Sequence, residues 1–469
     1  MIIMELASLI AIGTKLKLIY KIYQTAIVLF LSLSITNCDV QKRTNLKTTT
    51  EVQNDTLDNY FSKLYAAKMF NGAVAVKRNG KIIFKKGYGI ANLKKQNPFL
   101  TTTSLEIASV SKQFTATAIL LLQQENKLKI TDFATKYLGD DFPYKDVTIS
   151  QLLSHTAGLA DYEDYFKENW NPSIIAYNKD ILNYLKTKKP AILSVAGEKY
   201  HYSNTGYVLL AEIISGASGG VTLEKYLTKK VFEPMQMKST FFMGRDSIWD
   251  KENYAPGYMY SLAECKNVIP ETLPKNAYYR FLSGRLGSGR LSSTIDDLIK
   301  WDQFLYSDAI FNATSKDLAF SKHPPTKDSS DYGYGWHIIN DSIKGKIVSH
   351  TGSWAGNLTY IRRSIQTKDL VVILNNTYNT AYIKEIRAAV NGFLNGENLN
   401  LPKAKASELF KIDACTLSLK KTPKWYNDHK NSDWDLPALM SLQKEYEKIA
   451  ATNKSEMLDL LIKTIQTKK

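Results

Sequence analysis

The chain has 469 residues, of which 44% are hydrophobic and 11% aromatic, a composition that supplies a buried core and excludes a disordered chain. Three cysteines are too few for a disulfide-rich scaffold of this length. The formal net charge is +16, but only nine of the 61 basic residues are Arg and the Lys residues are scattered, so we expect no nucleic-acid partner.

The N-terminal segment carries a targeting pattern. Residues 25–36 form an apolar run of twelve residues behind three lysines, whereas a helix that spans a bilayer needs about 20. A short apolar run after positive charge is typical of a secretory signal. Residues 35–38 resemble a bacterial lipoprotein cleavage box. We therefore predict a signal peptide over residues 1–38, lipid attachment at Cys38 and a membrane-anchored location in the cell envelope; an uncleaved anchor helix is the alternative.

The next part of the chain is predicted to form one domain, over residues 56–398, behind a polar, Thr-rich linker over residues 39–55. Asn79-Gly80 between two β-rich runs is typical of a β-hairpin. The patterns predict, in chain order, a helix, this hairpin, two apolar helices, three consecutive strands and a helix, at residues 57–70, 72–84, 109–124, 207–214, 346–374 and 381–394. Strands near both ends favour an α+β domain whose antiparallel sheet joins the two ends.

The C-terminal segment has a different character. Two helical patterns cover residues 438–451 and 456–467, and Pro437 suits the start of the first. We therefore predict a helical extension over residues 399–469, which either packs on the domain or binds a partner. The two cysteines beyond Cys38 are one possible disulfide pair in an exported protein.

A serine and a lysine stand three residues apart at the predicted start of the first apolar helix. Positions i and i+3 share a helix face, so Lys112 can approach the hydroxyl of Ser109. A serine needs a base to become a useful nucleophile, and burial near a helix start lowers the pKa of a lysine. The same spacing occurs at Ser418–Lys421 and Ser441–Lys444, so this pattern alone is not specific.

Two further motifs give the serine and lysine a context. Tyr202-Ser203-Asn204 is the only Tyr-x-Asn string among 28 tyrosines, and His350-Thr351-Gly352 closes a predicted strand. With Ser109-x-x-Lys112 before them, they resemble the penicillin-recognising serine hydrolases, in particular the branch of class C beta-lactamases, D-Ala-D-Ala carboxypeptidases and related esterases. Supporting strings occur at residues 149–159, 289–294 and 334–336. The resemblance implies a beta-lactamase/transpeptidase-like fold with an all-helical subregion.

The resemblance also implies a role for each motif residue. Ser109 is expected to be the acylated nucleophile, and Lys112 and Tyr202 to share proton transfer. A tyrosine near two cationic groups can have its pKa lowered, so the choice of base between these two residues stays open. The remaining roles are substrate binding by Asn204, His350, Thr351 and Gly352, and an oxyanion hole made by the backbone N–H groups of Ser109 and Ser353.

One position departs from the pattern of many class C beta-lactamases, which have Lys where this chain has His350. A His is mostly neutral near pH 7, so the resemblance favours a carboxypeptidase or esterase over a dedicated beta-lactamase. Arg362 or Arg363 could supply the missing charge, but the sequence favours surface positions for both. We assign structural roles to His155 and His337.

The predicted function is a serine hydrolase that works through an acyl-enzyme on D-amino-acid peptides, small esters or beta-lactams. The alternative is a catalytically silent relative that binds cell-wall peptides or a partner protein. We expect no cofactor, and no metal site because the six histidines are dispersed.

Overall fold

The computed structural model describes residues 49–242, 244, 251–308 and 310–467. The predicted signal peptide and the lipid attachment at Cys38 lie outside the described residues, as does most of the predicted linker. The first described helix begins at Thr49, so the final part of the predicted linker is helical. Among the described helices, none is both long enough and apolar enough to cross a bilayer.

The strands form one large antiparallel sheet and three small ones. They are β1 (Gly72–Arg78), β2 (Lys81–Tyr88), β3 (Ile90–Asn92), β4 (Asn97–Pro98), β5 (Leu105–Glu106), β6 (Phe241–Phe242), β7 (Met259–Ser261), β8 (Lys266–Val268), β9 (Leu291–Ser293), β10 (His337–Asp341), β11 (Gly345–Trp354), β12 (Asn357–Ser364) and β13 (Asp369–Asn375). The large sheet has the order β10-β11-β12-β13-β1-β2, so β1 beside β13 joins the two ends of the domain as predicted. The β1–β2 hairpin turns at Asn79 and Gly80, which both have the positive φ that a two-residue turn of type I′ needs.

The helices lie on both faces of the sheet and in the C-terminal segment. They are α1 (Thr49–Ala66), α2 (Lys112–Gln124), α3 (Thr135–Leu138), α4 (Ile149–Leu153), α5 (Tyr162–Asn169), α6 (Asn178–Lys188), α7 (Asn204–Ala217), α8 (Leu223–Leu227), α9 (Tyr278–Phe281), α10 (Ile295–Phe304), α11 (Ala313–Ala319), α12 (Thr380–Leu394), α13 (Ala406–Asp413), α14 (Thr422–Asp428), α15 (Leu436–Lys448) and α16 (Thr452–Gln466). Helices α2 to α8 follow one another between β5 and β6 and form the predicted all-helical subregion.

Both faces of the sheet are covered, which explains why its central strands are almost continuously apolar. Side chains alternate between the two faces along a strand. In β1, Val74 and Val76 pack toward α1 and α12, whereas Ala73 and Ala75 belong to the larger core that holds α2 and α7. This sandwich of sheet and helices fixes the position of the loops and strand ends that carry the motif residues.

Helix α2 is the buried centre of the larger core. Every residue from Lys112 to Leu122 is buried, as expected for a helix that is apolar on all sides. Lys112 is the first residue of this helix, so the amine of its side chain is buried together with the apolar side chains that follow it.

The C-terminal segment forms a compact helical unit with a core of its own. Helices α13 to α16 bring together apolar side chains that include Phe410, Trp425 and Leu458. A disulfide between Cys265, in the β7–β8 hairpin, and Cys415 ties this unit to the domain. The two helices predicted near the C-terminus are α15 and α16; Asp435 caps α15, and Pro437 lies in its first turn as expected.

Candidate active site

Ser109 lies in a short turn that leads directly into α2. Residues Ala108–Ser111 form a 3-10 turn, so Ser109 stands one helical turn before Lys112. The preceding residue, Ala108, has a φ of +50°, a left-handed conformation that residues with a side chain seldom adopt. Such backbone strain persists only where the surrounding structure fixes it, and it is frequent at functional sites.

Strand β11 packs closely against this turn at Gly352. A Cβ atom on Gly352 would lie 2.4 Å from the carbonyl oxygen of Ile107 and 3.1 Å from the Cβ of Ala108. Only a glycine permits this approach. Gly352 therefore acts through backbone packing, and it is the neighbouring Thr351 and Ser353 that line the cavity beside Ser109.

The amine of Lys112 is buried and held by three oxygen atoms. Its Nζ donates to Ser109 Oγ at 3.2 Å, to Asn204 Oδ1 at 2.9 Å and to the carbonyl oxygen of Ser288 at 2.8 Å. Burial, and then the positive charge of Arg285, lower the pKa of Lys112 to about 7, although nearby carboxylates oppose the shift. A substantial fraction of Lys112 is therefore neutral near pH 7 and can accept a proton from Ser109.

Tyr202 lies on the other side of the lysine. The Lys112 Nζ lies 4.9 Å from the centre of the Tyr202 ring, and Tyr202 lines the cavity with 40% of its surface exposed. Desolvation of the hydroxyl raises the pKa of Tyr202, and the hydrogen bond with Ser109 offsets this only in part. Of the two bases that the sequence left open, only Lys112 has a lowered pKa, because burial raises the pKa of Tyr202. Tyr202 keeps its proton near pH 7.

His350 uses both ring nitrogens inside the protein. Its Nδ1 lies 2.6 Å from the carbonyl oxygen of Thr351, so Nδ1 carries the proton, and its Nε2 accepts from the Tyr332 hydroxyl at 2.8 Å. Burial, followed by the positive charge that His337 and Lys112 can carry, holds the pKa of His350 well below its usual range. His350 is therefore an uncharged side chain that lines the cavity, in agreement with the expectation of a mostly neutral His at this position.

The motif residues meet at a cavity of about 310 Å³. Its lining includes Ser109, Tyr202, Asn204, His350, Thr351 and Ser353, so the structure brings together all three predicted motifs. Among the described strands, β10 pairs with β11 only as far as Ser349, which leaves the edge of β11 from His350 onward free beside the cavity. The two segments expected to supply the oxyanion hole, at Ser109 and Ser353, both border this space.

Sequence reasoning missed the charged residues of the cavity wall, among them Glu163 and Arg285. Glu163 Oε1 accepts from Asn204 Nδ2 at 3.1 Å and lies 3.5 Å from Arg285 Nη2. The Arg285 guanidinium stacks 4.1 Å from the Trp354 ring, and its Nη1 donates to Ser288 Oγ at 3.2 Å. Both residues stand within a few positions of strings that carry the family resemblance, which was the available signal.

The two arginines proposed as a source of positive charge lie elsewhere. Arg363 is fully buried, and its Nε donates to Asp302 Oδ1 at 2.6 Å. Arg362 is also buried, with its Nη1 donating to Ser364 Oγ at 3.1 Å. The prediction that both are surface residues is wrong, since the sheet is covered on both faces. Neither arginine lines the cavity.

The two histidines assigned to packing have different surroundings. The His155 Nδ1 accepts from the Ser203 backbone N–H at 3.1 Å, and its ring stacks 4.2 Å from Tyr202, so the structural role is confirmed. His337 packs 5.4 Å from the ring of His350 and also lines the cavity.

Comparison with known proteins places this geometry in a family. A family model described as Beta-lactamase matches residues 57–390. The chain belongs to the beta-lactamase family. The predicted beta-lactamase/transpeptidase-like α+β fold is thereby confirmed, and so is the prediction of a serine hydrolase.

Several members of the beta-lactamase family are similar over most of the domain. Penicillin-binding protein 4* of Bacillus subtilis is 36% identical over 358 residues, which cover 75% of this chain and 78% of the relative. Teichoic acid D-alanine hydrolase of Staphylococcus aureus is 28% identical over 59% of this chain and 64% of its own length. The solved structure of an octameric penicillin-binding protein homologue from Pyrococcus abyssi aligns with a TM-score of 0.63 and 26% identity, over 73% of this chain and 78% of that one.

Proposed function

We propose that the chain hydrolyses amide or ester bonds of small D-aminoacyl substrates through an acyl-enzyme on Ser109. The observation that carries this proposal is the amine of Lys112, buried within hydrogen-bond distance of Ser109 and with a pKa of about 7. A lysine that is partly neutral at working pH is the base that an unactivated serine needs. Beta-lactams, which have the same acyl carbonyl chemistry, are included among the candidate substrates.

The proton path follows from the opposite pKa shifts of Lys112 and Tyr202. Neutral Lys112 takes the proton of Ser109 as Oγ bonds to the substrate carbonyl carbon. The resulting oxyanion is held by the backbone N–H groups of Ser109 and Ser353. The oxyanion then collapses and the bond from the carbonyl carbon to the leaving group breaks, while protonated Tyr202 gives its proton to the leaving group and regains one from Lys112. Water releases the acyl group by the reverse sequence of proton transfers.

Substrate binding is assigned to the free edge of β11. An extended peptide-like substrate can add to this edge through main-chain hydrogen bonds, with Thr351 and Ser353 facing it. The cavity volume of about 310 Å³ suits a small acyl group. The names of two relatives, a penicillin-binding protein and a teichoic acid D-alanine hydrolase, agree with a D-alanyl group as substrate.

Acylation of the full chain tests this assignment directly. We expect a penicillin or a fluorophosphonate to add one covalent group, located by peptide mass spectrometry on the segment around Ser109. Ser109→Ala should abolish both the adduct and the hydrolysis of D-alanyl esters. Ser418→Ala is the matched control, because it alters another Ser-x-x-Lys string of the chain, one that does not line the cavity.

Removal of the proton-transfer groups should slow acylation. Lys112→Ala and Tyr202→Phe should each lower its rate by about 10²-fold or more. Hydrolysis that persists in Ser109→Ala would contradict the assignment. A folded chain that forms no adduct with any agent would favour the catalytically silent, peptide-binding relative instead.

We also propose that the chain is exported to the cell envelope and lipid-modified at Cys38, which supports action on wall-associated substrates. This proposal is supported by the sequence pattern of residues 1–38. It is also supported by similarity to a penicillin-binding protein and a teichoic acid D-alanine hydrolase, whose names refer to cell-wall chemistry. The intact mass of the protein from the membrane fraction should correspond to a lipidated chain that begins at Cys38. Unchanged processing in Cys38→Ala would contradict the lipid attachment.

A further inference from the structure

Two of the three residues that accept hydrogen bonds from Lys112, Asn204 and Ser288, are themselves hydrogen-bonded to charged side chains. Lys112 donates to Asn204 Oδ1 and to the Ser288 carbonyl oxygen. Behind Asn204 lies Glu163, whose Oε1 accepts from Asn204 Nδ2 at 3.1 Å. Behind Ser288 lies Arg285, which donates to its Oγ at 3.2 Å. Arg285 and Glu163 are 3.5 Å apart, so one ion pair supports both partners of the lysine.

This pair is fixed in place. Arg285 is buried and stacked on Trp354, and the Glu163 side chain is mostly buried at the start of α5, where Lys167 approaches its other oxygen at 3.5 Å. Charges in such surroundings are poorly screened, so each acts on the nearby amine far more strongly than a surface charge does.

The other titratable groups around Lys112 are of three kinds: a further carboxylate, neutral rings and a buried ion pair. Asp161, at the start of α5, is the remaining carboxylate whose charge acts on the lysine. The tyrosine rings and imidazoles beside the lysine are neutral near pH 7. Glu106 and Arg290 form a separate buried ion pair. Together these groups are Asp161, His155, His350, Tyr202, Tyr207, Glu106 and Arg290.

We propose that Arg285 and Glu163 are opposing positioning residues that set the pH range in which Lys112 accepts the Ser109 proton. Arg285 disfavours the ammonium form of the lysine by like-charge repulsion, and Glu163 favours it by attraction. Both keep the amine aimed at Ser109 through Ser288 and Asn204. This inference rests on the proposed roles of Ser109 and Lys112.

The sign of each effect can be worked out. Acylation needs neutral Lys112, so kcat/KM should fall as the pH drops through the lysine pKa of about 7. We call this fall of kcat/KM at low pH the acid limb of the profile. Loss of the Arg285 charge raises the lysine pKa and moves the acid limb to higher pH. Loss of the Glu163 charge lowers the pKa and moves the limb to lower pH. A merely structural role would reduce the rate without opposite shifts.

The experiment compares pH profiles of kcat/KM for a neutral N-acetyl-D-alanyl ester, which has no titrating group of its own. We expect the acid limb to move up by on the order of one pH unit in Arg285→Gln and down by a similar amount in Glu163→Gln. In the double variant the two shifts should cancel. Arg285→Lys keeps the charge and should keep the limb where the wild type has it.

Asp164→Asn is the matched control, because Asp164 follows Glu163 on the same helix, carries the same charge and is 87% exposed. Its profile should match the wild type. Shifts in the same direction for Arg285→Gln and Glu163→Gln, or no shift in either, would overturn the inference.

The design also separates the failure of this inference from failure of the proposed function. If Arg285→Gln does not fold, the pH profiles of Glu163→Gln and Arg285→Lys test the inference instead. An acid limb of kcat/KM that is unshifted or moved to higher pH in Glu163→Gln contradicts it. A wild-type chain without Ser109-dependent hydrolysis overturns the proposed function and this inference together, whereas normal hydrolysis with unshifted limbs overturns only the inference.

Discussion

At the scale of single residues, the site is built from groups whose protonation is set by burial. Lys112 is driven toward its neutral form, and Tyr202 and His350 are held neutral by the same loss of solvent. The result is a serine hydroxyl beside one group, Lys112, that exchanges a proton readily near pH 7, among neighbours that stay neutral. The charged side chains stand one layer further back, on Arg285 and Glu163.

The neutral state of His350 predicts a change in substrate preference. His350→Lys places an ammonium at the substrate wall, and this charge attracts a carboxylate on the substrate. We expect the ratio of kcat/KM for a carboxylate-bearing cephalosporin to kcat/KM for a neutral ester to rise by about tenfold, since one charged hydrogen bond contributes about 1.5–3 kcal/mol.

Tyr332→Phe is the companion variant, because it removes the hydroxyl that donates to His350 Nε2 without adding charge. It should leave that ratio near the wild-type value. An unchanged ratio in a folded His350→Lys protein would show that the charge at this position does not discriminate between the two substrates.

The sequence contains enough to find Ser109, Lys112 and the other motif residues, because each motif is a short string with a fixed spacing. It does not reveal Arg285 and Glu163 as partners, since they are 122 positions apart and meet only through the fold. The sequence also left open the direction of the Tyr202 pKa. Burial decides it, and burial of a hydroxyl depends on contacts that local sequence does not specify.

At the scale of elements, the pattern along the chain predicted five of the six strands of the large sheet, whereas β10 and the short strands of the small described sheets were not predicted. The β1–β2 hairpin and the β11–β13 set lie where that pattern places them. The burial of Arg362 and Arg363 in β12 was not predictable in this way. A charged residue in a strand normally indicates that its side chain faces solvent, unless the fold supplies a buried ionic partner. For Arg363 that partner lies on α10.

That partner, Asp302, holds α10 against the sheet. It contacts Lys77 of β1 at 2.6 Å and Arg363 of β12 at 2.6 Å, and all three side chains are buried. Asp302→Asn leaves two buried cations without a counter-charge, so we expect the free energy of unfolding to fall by about 3–5 kcal/mol. Urea denaturation followed by circular dichroism measures this loss.

Asp296→Asn provides the control on the same helix. Asp296 pairs with Lys85 at 2.7 Å on the surface, where an ion pair contributes about 0–1 kcal/mol. Equal losses of stability in the Asp302 and Asp296 variants would contradict the view that burial of the ion triad fixes α10.

At the scale of the whole molecule, the C-terminal helical unit is joined to the domain by packing and by one covalent bond. Leu262, in the β7–β8 hairpin, packs against the core of the helical unit, and the Cys265–Cys415 disulfide lies beside it. The root of this hairpin approaches the end of β11, since a Cβ on Gly257 would lie 2.0 Å from the carbonyl oxygen of Ala355. The position of the extension is thus linked to the segment that follows Trp354.

The disulfide should contribute measurably to stability. Replacement of Cys265 and Cys415 by Ser frees a chain segment with a sequence separation of 150 residues, so we expect a loss of about 2–5 kcal/mol in the free energy of unfolding. A reducing agent should lower the stability of the wild type by the same amount and leave the double variant unchanged. A double variant that remains sensitive to the reducing agent would contradict this assignment.

The Cys265–Cys415 bond also divides the catalytic groups by covalent topology. The ring it closes contains His350, Thr351 and Ser353, whereas Ser109, Lys112 and Tyr202 belong to the open chain before it. A single proteolytic cut between Cys265 and His350 therefore leaves the segment with Ser109 and the segment with His350, Thr351 and Ser353 joined by the disulfide. Reduction of that nicked molecule removes the covalent link between the two segments, so the same cut leaves one covalent molecule in an oxidising compartment and two chains in a reducing one.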